Sequence, residues 1–181
     1  MPLAPEYFTA DMVRAIPDDG NRYELVWGQL LVTPAPRGTH QRIAFRLSRL
    51  IADYCDSFGT LETIPSPADI SWNADTLVQP DIFVVPRAEA ITGDWTRMRT
   101  LVFVAEILSP STARVDRFQK RKLYQQREVP TLWLVDIERR LVEVWTPDAL
   151  FPVVKTDRVT WLPADASEPL VVDIAELLRL D

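Results

Sequence analysis

Apolar positions along this chain follow two periods. Between Thr39 and Gly59, residues Ile43, Leu47, Leu50, Ile51, Tyr54 and Phe58 fall at i, i+4, i+7, i+8, i+11 and i+15. That spacing predicts one apolar stripe on a long helix, with Arg42, Arg46, Arg49, Asp53 and Asp56 on its other side. Shorter helices are predicted after Thr9, ending at Ile16 before Pro17, from Ser111 or Thr112 to about Arg127, and from Asp173 to Leu180. Elsewhere the pattern is that of strands. Arg22 to Trp27 and Gln29 to Thr33 read as a hairpin around Gly28, and Pro34 to Gly38 as a rigid loop. Thr60 to Ile64 and Ala68 to Trp72 read as short strands. Leu77 to Val85 reads as an apolar strand bent at Pro80-Asp81, since proline interrupts a ladder. The segment from Pro86 to Thr100 is a connection. Leu101 to Ile107 and Thr131 to Asp136 are near-continuous apolar runs, as expected of strands covered on both faces. Leu141 to Thr146 alternates and returns as a hairpin, with peripheral strands at Val153-Val154 and Arg158 to Leu162. The order predicts an α+β (α/β-like) fold in which a mixed central sheet is flanked by helices, with an added N-terminal hairpin.

Composition narrows this. A chain of 181 residues, 47% hydrophobic, is long enough for one well-buried core, so residues 1–181 are expected to form a single domain. The single cysteine, Cys55, excludes an internal disulfide and a paired-cysteine zinc site, and fits a reducing cytoplasm. The N-terminal MPLAPEYFTADMV lacks a basic region followed by an apolar one, so no signal peptide is expected. No apolar run approaches a membrane span. The net charge of −6 argues against tight nonspecific nucleic-acid binding over the whole surface, but not against a locally basic enzyme. With 15 prolines and 5 glycines there is no Gly-rich phosphate cradle.

The chemistry concentrates on a few residues. Glu106 is one acid at the end of the apolar run LVFVAEI, where a carboxylate loses its water unless donors or a cation replace it. Asp81 is a second, at the predicted kink of another apolar strand. If the two strands are neighbours, both carboxylates can meet one Mg2+ or Mn2+, which needs only one or two of them. Each acid alone is more simply a strand-end residue or the partner of a core arginine. Asp116, Lys120 and Tyr124 are spaced by four on the following helix, so Lys120 either reaches the acids or pairs with Asp116 in solvent. Lys122 is a competing lysine about 200° further round. Glu24 is a fourth candidate, either facing the metal or exposed on its strand. His40, the only histidine, starts the long helix, more simply as a residue near its cap than as a substrate or water contact. Tyr124 orients Lys120 or packs. Arg117 and Arg121 belong to a basic helix that would face a nucleic-acid backbone. Ser109 and Ser111 read as turn and cap residues.

The segments RYELVWGQL, TPAPRGTHQR, VQPDIFVVP, VAEILSPST and DRFQKRKLY followed by VPTLWLVD resemble, in order, those of the Uma-two-type restriction-endonuclease family within the PD-(D/E)XK nuclease superfamily. The likeness covers roughly Arg22 to Trp145. It implies a restriction-endonuclease-like fold and Mg2+-dependent hydrolysis of phosphodiester bonds, with DNA as the expected partner. It matches Asp81 to the acid of the PD motif, Glu106 to the acid of the ExK motif and Glu24 to an N-terminal acid. Two residues after Glu106, where the superfamily carries lysine, this chain has Leu108, and Lys120 matches the lysine moved to the next helix. A nuclease-fold protein that has become a binding or regulatory module is the alternative. A homodimer is expected, because two sites suit two strands, with Leu141 to Trp145 as the strand that would pair across copies.

Overall fold

The computed structural model describes residues 7–34 and 38–180, including two short helices, α1 (Ala10–Arg14) and α3 (Arg87–Ala90). Residues 35–37 of the expected rigid loop, and the first six residues of the segment read for a leader, lie outside the described residues. Six strands form the central sheet in the order β3 (Leu61–Pro65), β4 (Ile82–Pro86), β5 (Phe103–Leu108), β6 (Leu132–Asp136), β7 (Leu141–Trp145) and β8 (Val153–Lys155). Only β5 and β6 are parallel; every other neighbouring pair is antiparallel, so the sheet is mixed as predicted. Parallel neighbours need a crossover. It is supplied by the helical stretch α4 (Ala113–Val115), a π-helical turn (Asp116–Lys120) and α5 (Arg121–Gln126).

Alternation along the strands sends successive side chains to opposite faces. Phe103, Ala105 and Ile107 face one core, with Trp133 and Val135 from β6. Helix α2 (Gly38–Asp56) covers that face through Ile43, Leu47, Ile51 and Cys55, joined by residues of β9 (Arg158–Trp161), β10 (Leu170–Asp173) and α6 (Ile174–Leu177). Burying each large aliphatic chain there contributes about 1.5–3 kcal/mol. Val104 and Leu108 face the second core, with Leu123 and Tyr124 of α5 and with Val26 and Leu31 of the hairpin β1 (Asn21–Val26) and β2 (Gln29–Pro34). The hairpin turns at Trp27 (φ 50°) and Gly28 (φ 76°), both left-handed, which matches the twist of tightly connected strands.

Several boundaries differ from the pattern. The bend at Pro80-Asp81 divides the predicted strand: Ile82–Pro86 is ladder, whereas Leu77 and Val78 make only isolated bridges, to Leu25 and Ile70. The predicted strand Ala68 to Trp72 is reduced to that single bridge at Ile70. Leu50 stays 39% exposed while Cys55 is buried, because the sheet accepts only the narrow i+4 line of α2. The C-terminal α6 spans Ile174–Leu177 and is capped by Asp173, whose Oδ1 accepts from the Glu176 amide. Leu141–Trp145 is not a free edge: β6 and β8 pair with it on both sides, and β8 is the terminal strand.

Candidate active site

Strand register brings the two acids together. Ile82 pairs with Ala105 in antiparallel ladder, so Asp81 and Glu106 are the next opposed positions. Asp81 stands at the kink, where its side chain rather than its backbone meets β5: Oδ2 accepts from the Ile107 amide at 2.8 Å. The Asp81 amide points toward Glu106 Oε2 at 3.4 Å. Proline at position 80 stops the ladder one residue earlier, and this frees the carboxylate for other partners.

Lys120 arrives from the crossover helix. Its ammonium lies 2.7 Å from Glu106 Oε1, 2.9 Å from Glu24 Oε1 and 3.7 Å from Asp116 Oδ1. Tyr124, one turn on, donates its hydroxyl to Glu106 Oε1 at 2.6 Å. The π-turn ends at Lys120, and such single wide turns recur at functional sites because they re-aim side chains. Glu24 is carried by β1 and fixed by the Gln79 amide, which donates to its Oε1 at 2.7 Å. Paired backbone hydrogen bonds between Leu25 and Leu77 hold the hairpin beside this segment. His40, in the first turn of α2, places Nε2 3.0 Å from Asp81 Oδ2.

Glu24, Asp81, Glu106, Lys120, His40 and Tyr124 therefore form one connected cluster. Arg117 and Arg121 do not join it. The Arg117 guanidinium is taken by Asp136 and Glu143, and that of Arg121 lies 4.3 Å over the Trp145 ring. Lys122 is exposed, whereas Lys120 is 1% exposed, which separates the two lysines. Ser109 and Ser111 bond each other near the crossover start, as turn residues do. Thr112 makes no side-chain cap; its hydroxyl accepts from the Ser109 amide.

Arg22 is a member of the cluster that the sequence pattern does not single out, and Asp116, expected on the Lys120 face of its helix, belongs to it too. Arg22 pairs with Asp81 Oδ1 at 3.1 Å and lies 3.6 Å from Glu24 Oε2. Its position two residues before Glu24 on a strand, hence on the same face, was the available signal. Asp116 is buried beside Lys120 rather than exposed with it.

The electrostatics are those of a crowded acid site. Burial disfavours the Lys120 charge, but Glu106 and Glu24 outweigh it and hold the ammonium protonated. Burial likewise opposes ionisation of Asp81, yet the His40 hydrogen bond and the Arg22 guanidinium keep it well below the usual carboxylate range. Glu24 is also lowered, with burial overcome by Lys120 and Arg22. Burial pushes Glu106 up to about 8 and Asp116 up to about 6, against the pull of Lys120. Neighbouring carboxylates add to both increases.

Four buried or nearly buried carboxylates thus share two obligate cations, Arg22 and Lys120. Burial leaves a proton on Glu106 near neutral pH, and a divalent cation beside it would favour the ionised carboxylate instead. Among the described residues no group of three or more His, Cys, Asp or Glu is arranged to hold a metal. A pair of carboxylates on adjacent strands fits a hard cation such as Mg2+, which completes its shell with water. Holding it would draw Asp81 oxygens away from Arg22 and His40. A cleft of about 550 Å3 opens beside these groups, lined in part by Arg22, His40, Gln79 and Asp81. Glu106 and Lys120 do not line it and connect to it through Asp81. Arg22 Nε and Nη2 and His40 Nδ1 are buried there without hydrogen-bond partners.

A crystal structure described as that of "a putative nuclease belonging to DUF820" from Anabaena variabilis ATCC 29413 is similar at a TM-score of 0.78 and 22% identity, over 94% of this chain and 97% of that one. At that identity the likeness establishes the fold. No curated protein matches the chain. The family model Uma2, described as "Putative restriction endonuclease", matches residues 9–169, which include every member of the cluster, and the chain belongs to that family.

Proposed function

We propose that this protein is a metal-dependent endonuclease that hydrolyses phosphodiester bonds of nucleic acid, with DNA as the first substrate to test. The observation that carries the reading is the placement of Asp81 and Glu106 side by side on β4 and β5 with the Lys120 ammonium 2.7 Å from Glu106. Membership of the restriction-endonuclease family supports it. Asp81 and Glu106 would hold Mg2+ or Mn2+, which supplies Lewis-acid stabilisation of a phosphoryl oxygen and activation of water. The chain's own groups do the rest. Lys120 neutralises charge that develops on the reacting phosphate and hydrogen-bonds the attacking water. Tyr124 and Glu24 fix the Glu106 carboxylate and the Lys120 ammonium by direct hydrogen bonds. His40 orients Asp81, and the Arg22 guanidinium in the cleft wall supplies positive charge for a phosphate oxygen entering the cleft.

Plasmid cleavage in Mg2+ or Mn2+ tests this. Wild type nicks or linearises the plasmid, and Asp81→Ala and Lys120→Ala lose at least a hundredfold in rate, typical of removing a group that stabilises developing charge. Equal cutting by all three proteins would assign the activity to a contaminant.

One observation favours a second reading, a nuclease-fold binding module. Lys120 and Glu106 are 1% and 2% exposed and already satisfied by each other, so the site is closed. Calorimetric absence of Mg2+ and Mn2+ binding at millimolar concentration would support the module over the enzyme. A homodimer would bring two sites to two strands, with β8 as one terminal strand open to pairing, and sedimentation at several concentrations reports it.

A further inference from the structure

We infer that the outer face of α2 is the substrate track of this site: it takes a nucleic-acid strand with an unpaired base stacked on Phe45 and flanking phosphates on Arg42 and Arg49. The inference rests on the nuclease reading and adds the strand state of the substrate. Phe45 is 67% exposed and stands between two depressions. One is the 550 Å3 cleft that ends on Arg22, His40 and Asp81. The other, about 420 Å3, is lined by Arg42, Arg46, Arg49, Leu50 and Asp53. A lone exposed phenylalanine is ordinary on a protein surface. This one forms the ridge between a cleft that reaches the acids and a hollow lined with arginines.

Charge supports the occupant. Along α2 there is no acid before Asp53, in a chain whose net charge is −6. Arg46 is spent on the carbonyls of Glu176, Leu177 and Arg179. Arg42 and Arg49 are exposed and make no ion pair among the described residues. They flank Phe45 at i−3 and i+4, so all three share a face, with the arginines about 10.5 Å apart along the axis. That span is about three nucleotide steps of a stacked strand rising about 3.4 Å per nucleotide. The crossover helix also exposes an aromatic, Phe118, between Arg114 and Lys122, but none of these lines the cleft that reaches Asp81, and its Arg117 and Arg121 are consumed internally. Arg22 lines the inner end of the cleft beside Asp81 and adds a further guanidinium there. A paired base has both faces covered by its neighbours, so stacking on Phe45 selects a base that is unpaired or frayed.

The test is fluorescence anisotropy in Ca2+ buffer, with a fluorescein-labelled single-stranded DNA dodecamer and the same sequence as a duplex. Phe45, Arg42 and Arg49 are exposed, so their substitution leaves the core intact. Wild type binds the single strand more tightly than the duplex. Phe45→Ala weakens single-strand binding about tenfold, as loss of a stacked base does, and leaves duplex binding unchanged, whereas Phe45→Trp retains affinity. The double variant Arg42→Gln/Arg49→Gln reduces the slope of log affinity against log salt by about 1.4, two phosphates at about 0.7 each. Equal affinity for the two forms, an unaffected Phe45→Ala variant, or failure of the wild type to bind would overturn the inference. So would sedimentation showing that Phe45→Ala dissociates a dimer, which would assign the face to a second copy. Loss of plasmid cleavage with Phe45-dependent binding intact would instead sink only the catalytic reading.

Discussion

At Lys120 an ammonium that is 1% exposed is tolerable only because Glu106 and Glu24 sit within 3 Å of it. Removing one partner of such a set leaves uncompensated buried charge. Lys120→Met should therefore cost about 3–5 kcal/mol in urea denaturation at neutral pH. The double variant Lys120→Met/Glu106→Gln should recover part of that loss, because it removes the orphaned charge as well. Simple additivity would mean that the two groups are not coupled. Asp116 gives a pH signature. Its folded-state value, about 6, lies above the ordinary 3.8, so the folded protein keeps a proton that the unfolded chain releases between those limits. Asp116 thus lowers stability progressively as pH rises from about 4 to about 6, by on the order of 2–3 kcal/mol in total. Asp116→Asn should make the fall in stability across that window shallower when urea midpoints are followed against pH, leaving the part due to Glu106, whose raised value of about 8 extends the fall to higher pH. An unchanged pH profile would show that Asp116 ionises normally.

Among the elements, the N-terminal hairpin and the crossover helix matter most, because each carries a charge to the buried strand β5. The hairpin depends on Gly28, whose φ of +76° suits glycine and where a Cβ would lie 2.3 Å from a ring carbon of Tyr7. Gly28→Ala should cost about 1–3 kcal/mol in thermal unfolding. It should also lower any cleavage activity, since the same hairpin positions Arg22 and Glu24. A variant as stable as wild type would mean that the turn and Tyr7 relax freely. The crossover helix shows how a local irregularity serves a site. The i+4 pattern placed Asp116, Lys120 and Tyr124 on one face, and the structure keeps them facing Glu106 through a π-turn that the pattern does not reveal.

Over the whole molecule, two carboxylates side by side, Asp81 and Glu106, predict stabilisation by a divalent ion that displaces the proton burial leaves on Glu106. At ten times its dissociation constant, Mg2+ or Mn2+ should contribute about 1.4 kcal/mol and raise the melting temperature by about 3–6 °C. Asp81→Asn should abolish the increase. A wild-type melting temperature indifferent to both ions would favour the binding-module reading. The acidic net charge is compatible with nucleic-acid contact, because the exposed arginines of α2 are gathered on one face beside Phe45.

Periodicity alone determined the long helix, the hairpin and the apolar strands, because burial against a sheet imposes period two or 3.6 on any sequence that folds this way. It also singled out Asp81 and Glu106, since a lone acid in an apolar strand is costly enough to stand out. What periodicity lacks is register between strands and direction in space. Only the tertiary structure decided that Asp81 opposes Glu106, that Lys120 turns inward while Arg117 and Arg121 are spent elsewhere, and that His40 and Arg22 converge on Asp81. These are contacts across 41 and 59 residues for the Asp81 partners, fixed by how the hairpin and α2 pack against the sheet and by no local spacing.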